Sequence, residues 1–437
     1  MTNPSSNVDR LSNRRLAVGV GLWLLVLVVG AFCVWWGFFR AGPSAETSRA
    51  TATAGSGLVA LDSGTPTTEP VPSSQAAAPY DSSEQAFGYG VAAHSLILPD
   101  YTMDQVRGLD LGWVKQQVRW ADFEPNPGEM DWSGYDAVVA SANDRDLRLM
   151  LSVVDAPAWS RDYVDDTPEA APPGDLTLFA SFLSRLVDRY QGRIHAIEVW
   201  NEQNLDREWD TAEGVSPERY VEMLRMAYQV IKSRDPNIIV ISGALSPTGV
   251  NGTDPNNPDR ITAMDDTRYL QAMIDHGFLD YCDCVGAHHN GYNIPPDVRW
   301  DDPYQDDTAI FQGFWDNPHP SWSFRSTLER YNEALSGAKP LCVTEFGWAS
   351  SEGLGGYPPG FEFAADNTLE EQAEYDVQAF QLMREWGFVR LAFLWNLDFA
   401  NKVQLDPTED PYAPYSLVDR NGAPRPAFGA IASMDKP

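Results

Sequence analysis

Short apolar runs alternate with longer amphipathic segments through most of this chain. From position 86 onward, eight runs rich in β-branched and aromatic residues predict strands, and they begin at positions 87, 113, 148, 194, 237, 284, 341 and 391. Between most of them, apolar residues recur at three- and four-residue spacing, which predicts helices such as Leu176–Tyr190, Pro217–Arg234 and Leu369–Trp386. Such alternation is typical of parallel strands joined by right-handed crossovers.

Eight strand–helix units favour one closed barrel. We therefore predict an α/β fold, a (β/α)8 TIM barrel, for residues 86–437. An open doubly wound sheet is the alternative, but no glycine-rich phosphate loop follows any early strand. Because the pattern is complete within residues 86–437, we expect this part to fold by itself as a soluble monomer.

The pattern before the barrel is different. Residues 16–39 are an uncharged run of 24 residues, and a helix of that length would span about 36 Å, enough for a hydrocarbon core of about 30 Å. This run predicts a transmembrane helix. Arg10, Arg14 and Arg15 precede it, which predicts a cytoplasmic segment 1–15 and an extracytoplasmic barrel anchored to the cell membrane. The alternative is secretion after cleavage of a signal peptide, although the apolar region of such peptides usually has only about 7 to 15 residues.

Residues 40–85 form a low-complexity linker in this interpretation. Ala, Gly, Ser, Thr and Pro fill 32 of the 45 positions from 41 to 85. A segment of that composition cannot bury enough apolar surface to offset the entropy lost on ordering.

The net charge of the chain restricts the classes of molecule that it could bind. The formal net charge is −31, and residues 1–85 hold only five basic and six acidic residues, so −30 belongs to the predicted barrel. A surface this acidic repels nucleic acid, which we exclude as a partner, and is compatible with neutral sugars.

Three cysteines lie near the starts of two predicted strands that would be neighbours. A disulfide from Cys342 to either Cys282 or Cys284 is sterically possible and would suit an extracytoplasmic location. We favour the alternative of buried free thiols. Zinc is not expected, because no CxxC pair occurs.

The fourth and seventh predicted strands end in carboxylates. Glu202 follows Trp200 and Asn201, and Glu345 closes the apolar run that begins at Leu341. Polar groups at the carboxyl ends of barrel strands face a ligand crevice. One such carboxylate could be structural, but two suit glycosidic cleavage, in which one protonates the leaving oxygen while the other attacks the anomeric carbon or activates water.

These motifs carry a family resemblance. WNE after an apolar strand, with TEFGW far downstream, resembles the large clan of retaining glycoside hydrolases with (β/α)8 barrels, cellulase-like and near glycoside hydrolase families 5 and 39. The resemblance covers residues 86–437. It implies a retaining β-glycosidase that acts on an oligo- or polysaccharide, with Glu202 as acid/base and Glu345 as nucleophile. We expect a raised pKa for Glu202 and no metal or organic cofactor.

Further residues receive roles from the resemblance. Asn201 would hydrogen-bond the sugar 2-hydroxyl, and Trp395 would form the floor of the innermost sugar subsite. A tryptophan on a strand is, however, about as often a buried residue of the core. Arg119, which ends the second strand, would keep Glu345 ionised and oriented. An internal salt bridge from Arg119 to Glu198 is the alternative.

The sixth strand departs from the family pattern of His, any residue, Tyr. This chain has His288, His289 and Asn290 there, followed by Tyr292. We expect His288 to point inward, because adjacent strand residues face opposite sides, and Tyr292 to reach in for the usual tyrosine. The aromatic-rich loop 293–324 that follows predicts a sugar-stacking wall or lid, or alternatively a self-packed cover.

Two other functions fit a barrel of this kind. A non-catalytic carbohydrate-binding barrel would keep the aromatic residues but lose a carboxylate, and both carboxylates are present. An envelope scaffold protein would use the barrel only for contacts with partners. Neither would turn over an aryl β-glycoside, and nothing in the sequence identifies the sugar.

Overall fold

In a computed structural model, which describes residues 86–163 and 170–436, eight barrel strands and eight main helices alternate along the chain, and a two-stranded hairpin (Gly252–Asp254 and Asn257–Ala263) is inserted between the fifth strand and the fifth helix. The strands are β1 (Gly88–Ala92), β2 (Trp113–Arg119), β3 (Arg148–Val154), β4 (Ala196–Asn201), β5 (Ile239–Ala244), β6 (Val285–Gly291), β7 (Leu341–Trp348) and β8 (Val389–Leu394). The helices are α1 (Pro99–Gly108), α2 (Ser133–Asn143), α3 (Leu176–Tyr190), α4 (Pro217–Arg234), α5 (Asp266–Asp275), α6 (Phe324–Leu335), α7 (Leu369–Trp386) and α8 (Pro426–Ser433). The predicted strand and helix pattern is confirmed.

The strands form one parallel sheet that is nearly closed into a barrel. Their order is β5-β4-β3-β2-β1-β8-β7-β6, and the parallel bridges Ile241–Cys284 and Leu245–Ala287 join the two edges. Gly286 is required at this junction, because a Cβ atom there would lie 2.1 Å from the carbonyl oxygen of Ser242. The predicted TIM-barrel architecture is confirmed, and the open doubly wound alternative is wrong.

The predictions for segments 1–15, 16–39 and 40–85 fall outside the described residues. Within residues 86–163 and 170–436, no helix is both long enough and apolar enough to cross a bilayer.

Capping residues set the helix ends. Thr368 accepts a hydrogen bond from the backbone N–H of Glu371, whose side chain returns to the backbone of Thr368, so α7 starts with a capping box. The same helix ends at Gly387, which has a left-handed φ of 71°. Ser216 caps α4 directly before Pro217. These local signals explain why the periodicity located both helices accurately.

The lower barrel interior is an apolar layer with one polar layer above it. The buried residues of the apolar layer are Trp113, Met150, Ala196, Ile241, Cys284, Cys342, Leu391 and Phe393. Side chains of a strand face the same side every second residue, so the next inward positions toward the carboxyl ends include Lys115, Glu198 and Thr344. The apolar layer therefore supports a buried polar one directly beneath the site.

A disulfide joins β6 to β7 within the apolar layer. Cys284 and Cys342 are bonded, with their Cα atoms 5.8 Å apart, while Cys282 is a buried free thiol. The expectation of free thiols is therefore wrong for Cys284 and Cys342. The physical reason is that Cys284, directly before β6, and Cys342 in β7 both lie in the apolar layer inside the barrel, whereas Cys282 packs into the core outside it.

A β-bulge in β7 aims Glu345 into the barrel. Ala287 of β6 pairs with Val343 and the next residue, His288, pairs with Glu345, so Thr344 is an extra residue on β7. Bulges of this kind redirect side chains and occur often beside active sites. Thr344 and Glu345 both reach inward, although simple alternation would turn one of them outward.

Candidate active site

Glu202 directly follows β4, Glu345 lies in the carboxyl half of β7, and both converge on His288. His288 Nδ1 is 3.3 Å from Glu202 Oε1 and 3.8 Å from Glu345 Oε2. These two carboxylate oxygens are therefore at most 7.1 Å apart, the sum of the two distances. The structure thus brings together the two carboxylates that the sequence singled out.

Lys115 holds Glu345 from inside the barrel. Its Nζ donates to Glu345 Oε1 at 3.0 Å and to the carbonyl oxygen of Thr344 at 3.2 Å, and it lies 3.2 Å from Glu198 Oε2. Burial lowers the pKa of Lys115, but the carboxylates of Glu198 and Glu345 outweigh it and leave that pKa raised. Lys115 is thus a cation fixed between two buried carboxylates.

Arg119 does not have the predicted role beside Glu345. Its guanidinium pairs with Asp155 and, at 3.2 Å, with Asp122, and within the described ranges it makes no ion pair with Glu345 or Glu198. The reason is position along β2, because four residues at about 3.3 Å each separate Arg119 from the layer of Lys115. A lysine inside an apolar strand was the signal that sequence reasoning missed, because a buried charge requires a partner.

The two histidines of β6 have opposite environments. His288 points inward, and the carboxylates of Glu345 and Glu202 raise its pKa although burial opposes them. His289 packs outside the barrel against Phe324, with ring centroids 5.8 Å apart, and burial lowers its pKa to about 4. His288 is therefore available as a cation between the carboxylates, and His289 belongs to the core.

The acid/base candidate carries an unexpected ion pair. Arg207 Nη2 donates to Glu202 Oε2 at 2.5 Å. Burial raises the pKa of Glu202, but the charge of Arg207 and the contact with His288 outweigh it and lower the pKa to about 2. The expected raised pKa is therefore wrong, because the loop after β4 turns back at Leu205 and returns Arg207 to the end of the strand.

A third carboxyl group lies near the pair. Burial, together with the charges of Glu202, Asp155 and Glu345, raises the pKa of Glu208 to about 8 against the opposing charge of Arg207. Glu208 is therefore mostly protonated at neutral pH. Sequence reasoning did not single out Glu208, because this residue lies in an irregular loop.

The end of β4 has an unusual backbone. Trp200 and Glu202 are non-glycine residues with φ of 80° and 42°, in the left-handed region. Trp200 consequently packs outside the barrel against Phe179 and Trp209 instead of following the inward alternation. Backbone of this kind is strained and clusters at functional sites.

The remaining predicted residues surround the same barrel mouth. Asn201 is buried and pairs with Ala244 of β5. Trp395 is half-buried, and its backbone N–H donates to the carbonyl oxygen of Phe346 at 2.7 Å, which places it beside β7. Tyr292 donates no hydrogen bond to Glu345 within the described part of the chain. Burial and the charge of Glu202 raise the pKa of Tyr292 to about 12.

The aromatic residues after β6 pack on one another. Tyr292 and Phe311 stack with centroids 5.7 Å apart and planes 8° apart, and Phe311 stacks on Trp322 at 5.8 Å. Asp366 fixes the loop by accepting from the backbone N–H groups of Ile310 and Phe311. These contacts match a self-packed cover, the second of the two interpretations of this loop.

No metal centre is formed by the residues that the structure describes. Their His, Cys, Asp and Glu side chains include no group of three or more arranged to hold a metal ion.

Comparison with known proteins supports the fold. No protein-family model matches the chain, and no curated protein matches it in sequence. Among solved structures, a family 39 glycoside hydrolase from Bacteroides cellulosilyticus WH2 is 18% identical, with a TM-score of 0.58, over 80% of this chain and 64% of that one. A GH5_18 protein from Streptomyces cattleya, in complex with GlcNAc, is 15% identical with a TM-score of 0.55, over 80% and 79% of the two chains.

A GH10 protein from Paenibacillus barcinonensis is similar as well, 16% identical with a TM-score of 0.51, over 80% of this chain and 96% of that one. The present chain thus spans about two thirds of the family 39 protein and nearly all of the GH10 protein. The resemblance inferred from the WNE and TEFGW motifs is confirmed at the level of architecture. At these identities, what the chain shares with the three proteins is the (β/α)8 barrel of glycoside hydrolases.

Proposed function

We propose that this protein is a retaining β-glycosidase that hydrolyses an oligo- or polysaccharide by double displacement. The observation that carries the proposal is the convergence of Glu202 and Glu345 on His288 at the barrel mouth. Carboxyl groups are about 5 to 5.5 Å apart in retaining enzymes and about 6.5 to 9.5 Å apart in inverting ones. The upper bound of 7.1 Å between one oxygen of each group is compatible with the shorter separation of a retaining enzyme.

Glu345 is the nucleophile in this mechanism. Lys115 engages Glu345 Oε1, so Glu345 Oε2 is the oxygen left to attack the anomeric carbon. As that carbon–oxygen bond forms, the bond to the leaving oxygen breaks, and Glu202 gives its proton to the leaving oxygen. Water then attacks the glycosyl-enzyme, Glu202 takes a proton from it, and the bond to Glu345 breaks with net retention.

Substrate contacts complete the proposal. Asn201 would donate to the sugar 2-hydroxyl, and the half-buried Trp395 would stack on the sugar in the innermost subsite. Other solved structures with a similar fold include a xylanase in complex with xylobiose and an exo-β-1,4-mannosidase, so the sugar has to come from experiment. A panel of 4-nitrophenyl β-glycosides of glucose, xylose, mannose and galactose would find it.

The acid/base role is tested by Glu202→Ala. We expect hydrolysis of a glycoside with a poor leaving group to fall by about 10²-fold or more, because its oxygen then leaves unprotonated. A 4-nitrophenyl glycoside should still form the glycosyl-enzyme, and added azide should restore turnover and yield the β-glycosyl azide. Product analysis by NMR makes the distinction, and an α-glycosyl azide or no rescue would contradict the role.

A non-catalytic carbohydrate-binding barrel is the second candidate. The ion pair between Arg207 and Glu202 favours it, since a carboxylate held in this way does not readily donate a proton. Such a protein would bind saccharides and leave every glycoside of the panel intact.

For location, we propose an extracytoplasmic barrel anchored by residues 16–39. The uncharged run at these positions supports this, and the disulfide between Cys284 and Cys342 suits an oxidising compartment. Protease added to intact cells should release the barrel by cutting within residues 40–85. Protection of that segment would contradict the orientation.

A further inference from the structure

Both carboxylate oxygens of Glu202 are already engaged. Oε1 lies 3.3 Å from His288 Nδ1, and Oε2 accepts from Arg207 Nη2. A general acid must carry its proton on an oxygen that faces the leaving group. A guanidinium has only donors, so it stabilises the ionised carboxylate more than a protonated one, which keeps fewer acceptor sites and no charge. Arg207 therefore opposes protonation of Glu202, and with it the role of acid, while it stays in place.

Arg207 covers Glu202 from the solvent side. Half of the Arg207 side chain is exposed, against 11% of the Glu202 side chain. The leaving-group oxygen must come within hydrogen-bond distance of Glu202. Whatever carries that oxygen into the cleft therefore meets the guanidinium first.

The backbone beneath Arg207 is fixed, so its side chain is the part free to move. The neighbouring Asp206 donates its N–H to the carbonyl oxygen of Thr262 at 2.8 Å. Thr262 belongs to a hairpin inserted after β5 (Gly252–Asp254 and Asn257–Ala263). Arg260 of that hairpin also pairs with Asp206 at 3.2 Å and with Asp210 at 2.6 Å.

We propose, on the basis of the glycosidase function above, that Arg207 determines substrate specificity by holding Glu202 in its ionised form. This contact, here called the latch, is released only by a leaving group that carries hydroxyl groups. Sugar hydroxyl oxygens accept hydrogen bonds from the guanidinium, which exchanges its contact with Glu202 for contacts with the sugar. Glu202 can then take up a proton. A phenyl group has no such acceptors, so the preferred substrates are oligosaccharides rather than simple aryl glycosides.

The charges around Glu202 decide how its proton affinity responds. Arg207 faces it from the loop after β4 and His288 from β6, while the carboxyl groups of Glu345 and Glu208 lie nearby. Arg207 and His288 favour the ionised form and Glu345 opposes it, whereas Glu208 is mostly neutral at pH 7 and opposes it only once it ionises. Loss of Arg207 should therefore raise the pKa of Glu202.

Protonation of Glu202 sets the basic limb of the pH profile of kcat/KM. In the free enzyme kcat/KM requires a proton on Glu202, so kcat/KM falls as pH rises above the pKa of that group. Tyr292, whose own pKa is about 12, stays neutral over this range. Raising the pKa of Glu202 should move the basic limb of the profile to higher pH.

The test compares Arg207→Met with wild-type enzyme on two substrates of the sugar found by the panel. For the phenyl β-glycoside at pH 7, kcat/KM should rise by about tenfold or more, equal to one pKa unit or more. For the β-linked trisaccharide, the gain in kcat/KM should be at least about tenfold smaller or absent, because the hydrogen bonds from the guanidinium to the sugar are lost. Arg185→Met is the matched control, since Arg185 is 40% exposed, pairs with the buried Glu124 and lies away from the cleft.

Equal changes in kcat/KM for both substrates, or an unshifted basic limb, would contradict the proposed latch. Arg207 would then have only a structural role. Carbon-13 NMR of the Glu202 carboxyl group, assigned with Glu202→Gln, supplies a readout that needs no turnover. The carboxyl pKa should rise in Arg207→Met and less in Arg207→Lys, and an unchanged value would overturn the latch. A wild-type enzyme inactive on every substrate would contradict the glycosidase proposal instead, whereas NMR would still test the ion pair.

Discussion

Glu345→Gln is expected to abolish turnover of every β-glycoside, by about 10⁴-fold or more, whatever the leaving group. The amide is too weak a nucleophile to form the glycosyl-enzyme, and protonation of the leaving oxygen cannot compensate for that loss. Steady-state rates for 4-nitrophenyl and phenyl glycosides of one sugar provide the measurement. Glu333→Gln, the same change on an exposed position of α6, should leave the rates unchanged.

The substrates for which turnover is lost show whether Glu345 is the nucleophile or the acid. A variant of the nucleophile loses both substrates alike, whereas a variant of the acid loses mainly the poor leaving group. If Glu345→Gln spared the 4-nitrophenyl glycoside and azide restored its turnover, Glu345 would be the acid/base and the two roles would be exchanged.

Lys115→Met is expected to cost both stability and activity. It leaves Glu198, which is fully buried, and Glu345 without the cation between them, and breaking such a buried pair costs about 3 to 5 kcal/mol of unfolding free energy. Turnover should fall by about 10²-fold or more, because the nucleophile loses its fixed position and its nearest compensating charge. Urea unfolding and steady-state kinetics measure the two effects.

A second substitution separates these effects. In Lys115→Met/Glu198→Gln the buried charge of Glu198 is gone, so most of the lost stability should return while turnover stays low. Lys232→Met, which breaks the partly exposed pair with Asp283, should cost at most about 1 kcal/mol and leave turnover unchanged. Recovery of turnover together with stability would mean that Lys115 only supports the fold.

The fold could be predicted because its signals are local. Strand and helix periodicity, caps such as Thr368 and Gly387, and the regular alternation of elements all agree, which leaves one architecture. The disulfide was only partly predictable, since Cys282 and Cys284 are two residues apart and would face the same side of one strand. Only the conformation of the chain before β6 places Cys284 inside the barrel and Cys282 in the outer core.

The candidate site was predictable where it depended on strand ends. Glu202 and Glu345 end apolar runs, so the sequence alone places them at the barrel mouth. Their partners depend on reach and on loop conformation instead. Lys115 contacts Glu345 from four residues below the position of Arg119, and Arg207 reaches Glu202 only because its loop turns back against an unpredicted hairpin.

The most direct test is covalent labelling by a 2-deoxy-2-fluoro β-glycoside of the sugar identified by the panel. Fluorine slows both steps of the double displacement, and a good leaving group restores the first, so the glycosyl-enzyme accumulates. Mass spectrometry of the peptides from the inactivated enzyme should place the sugar on Glu345 and on no other residue. A label on another residue, or a first hydrolysis product with the inverted anomeric configuration, would contradict nucleophilic catalysis by Glu345.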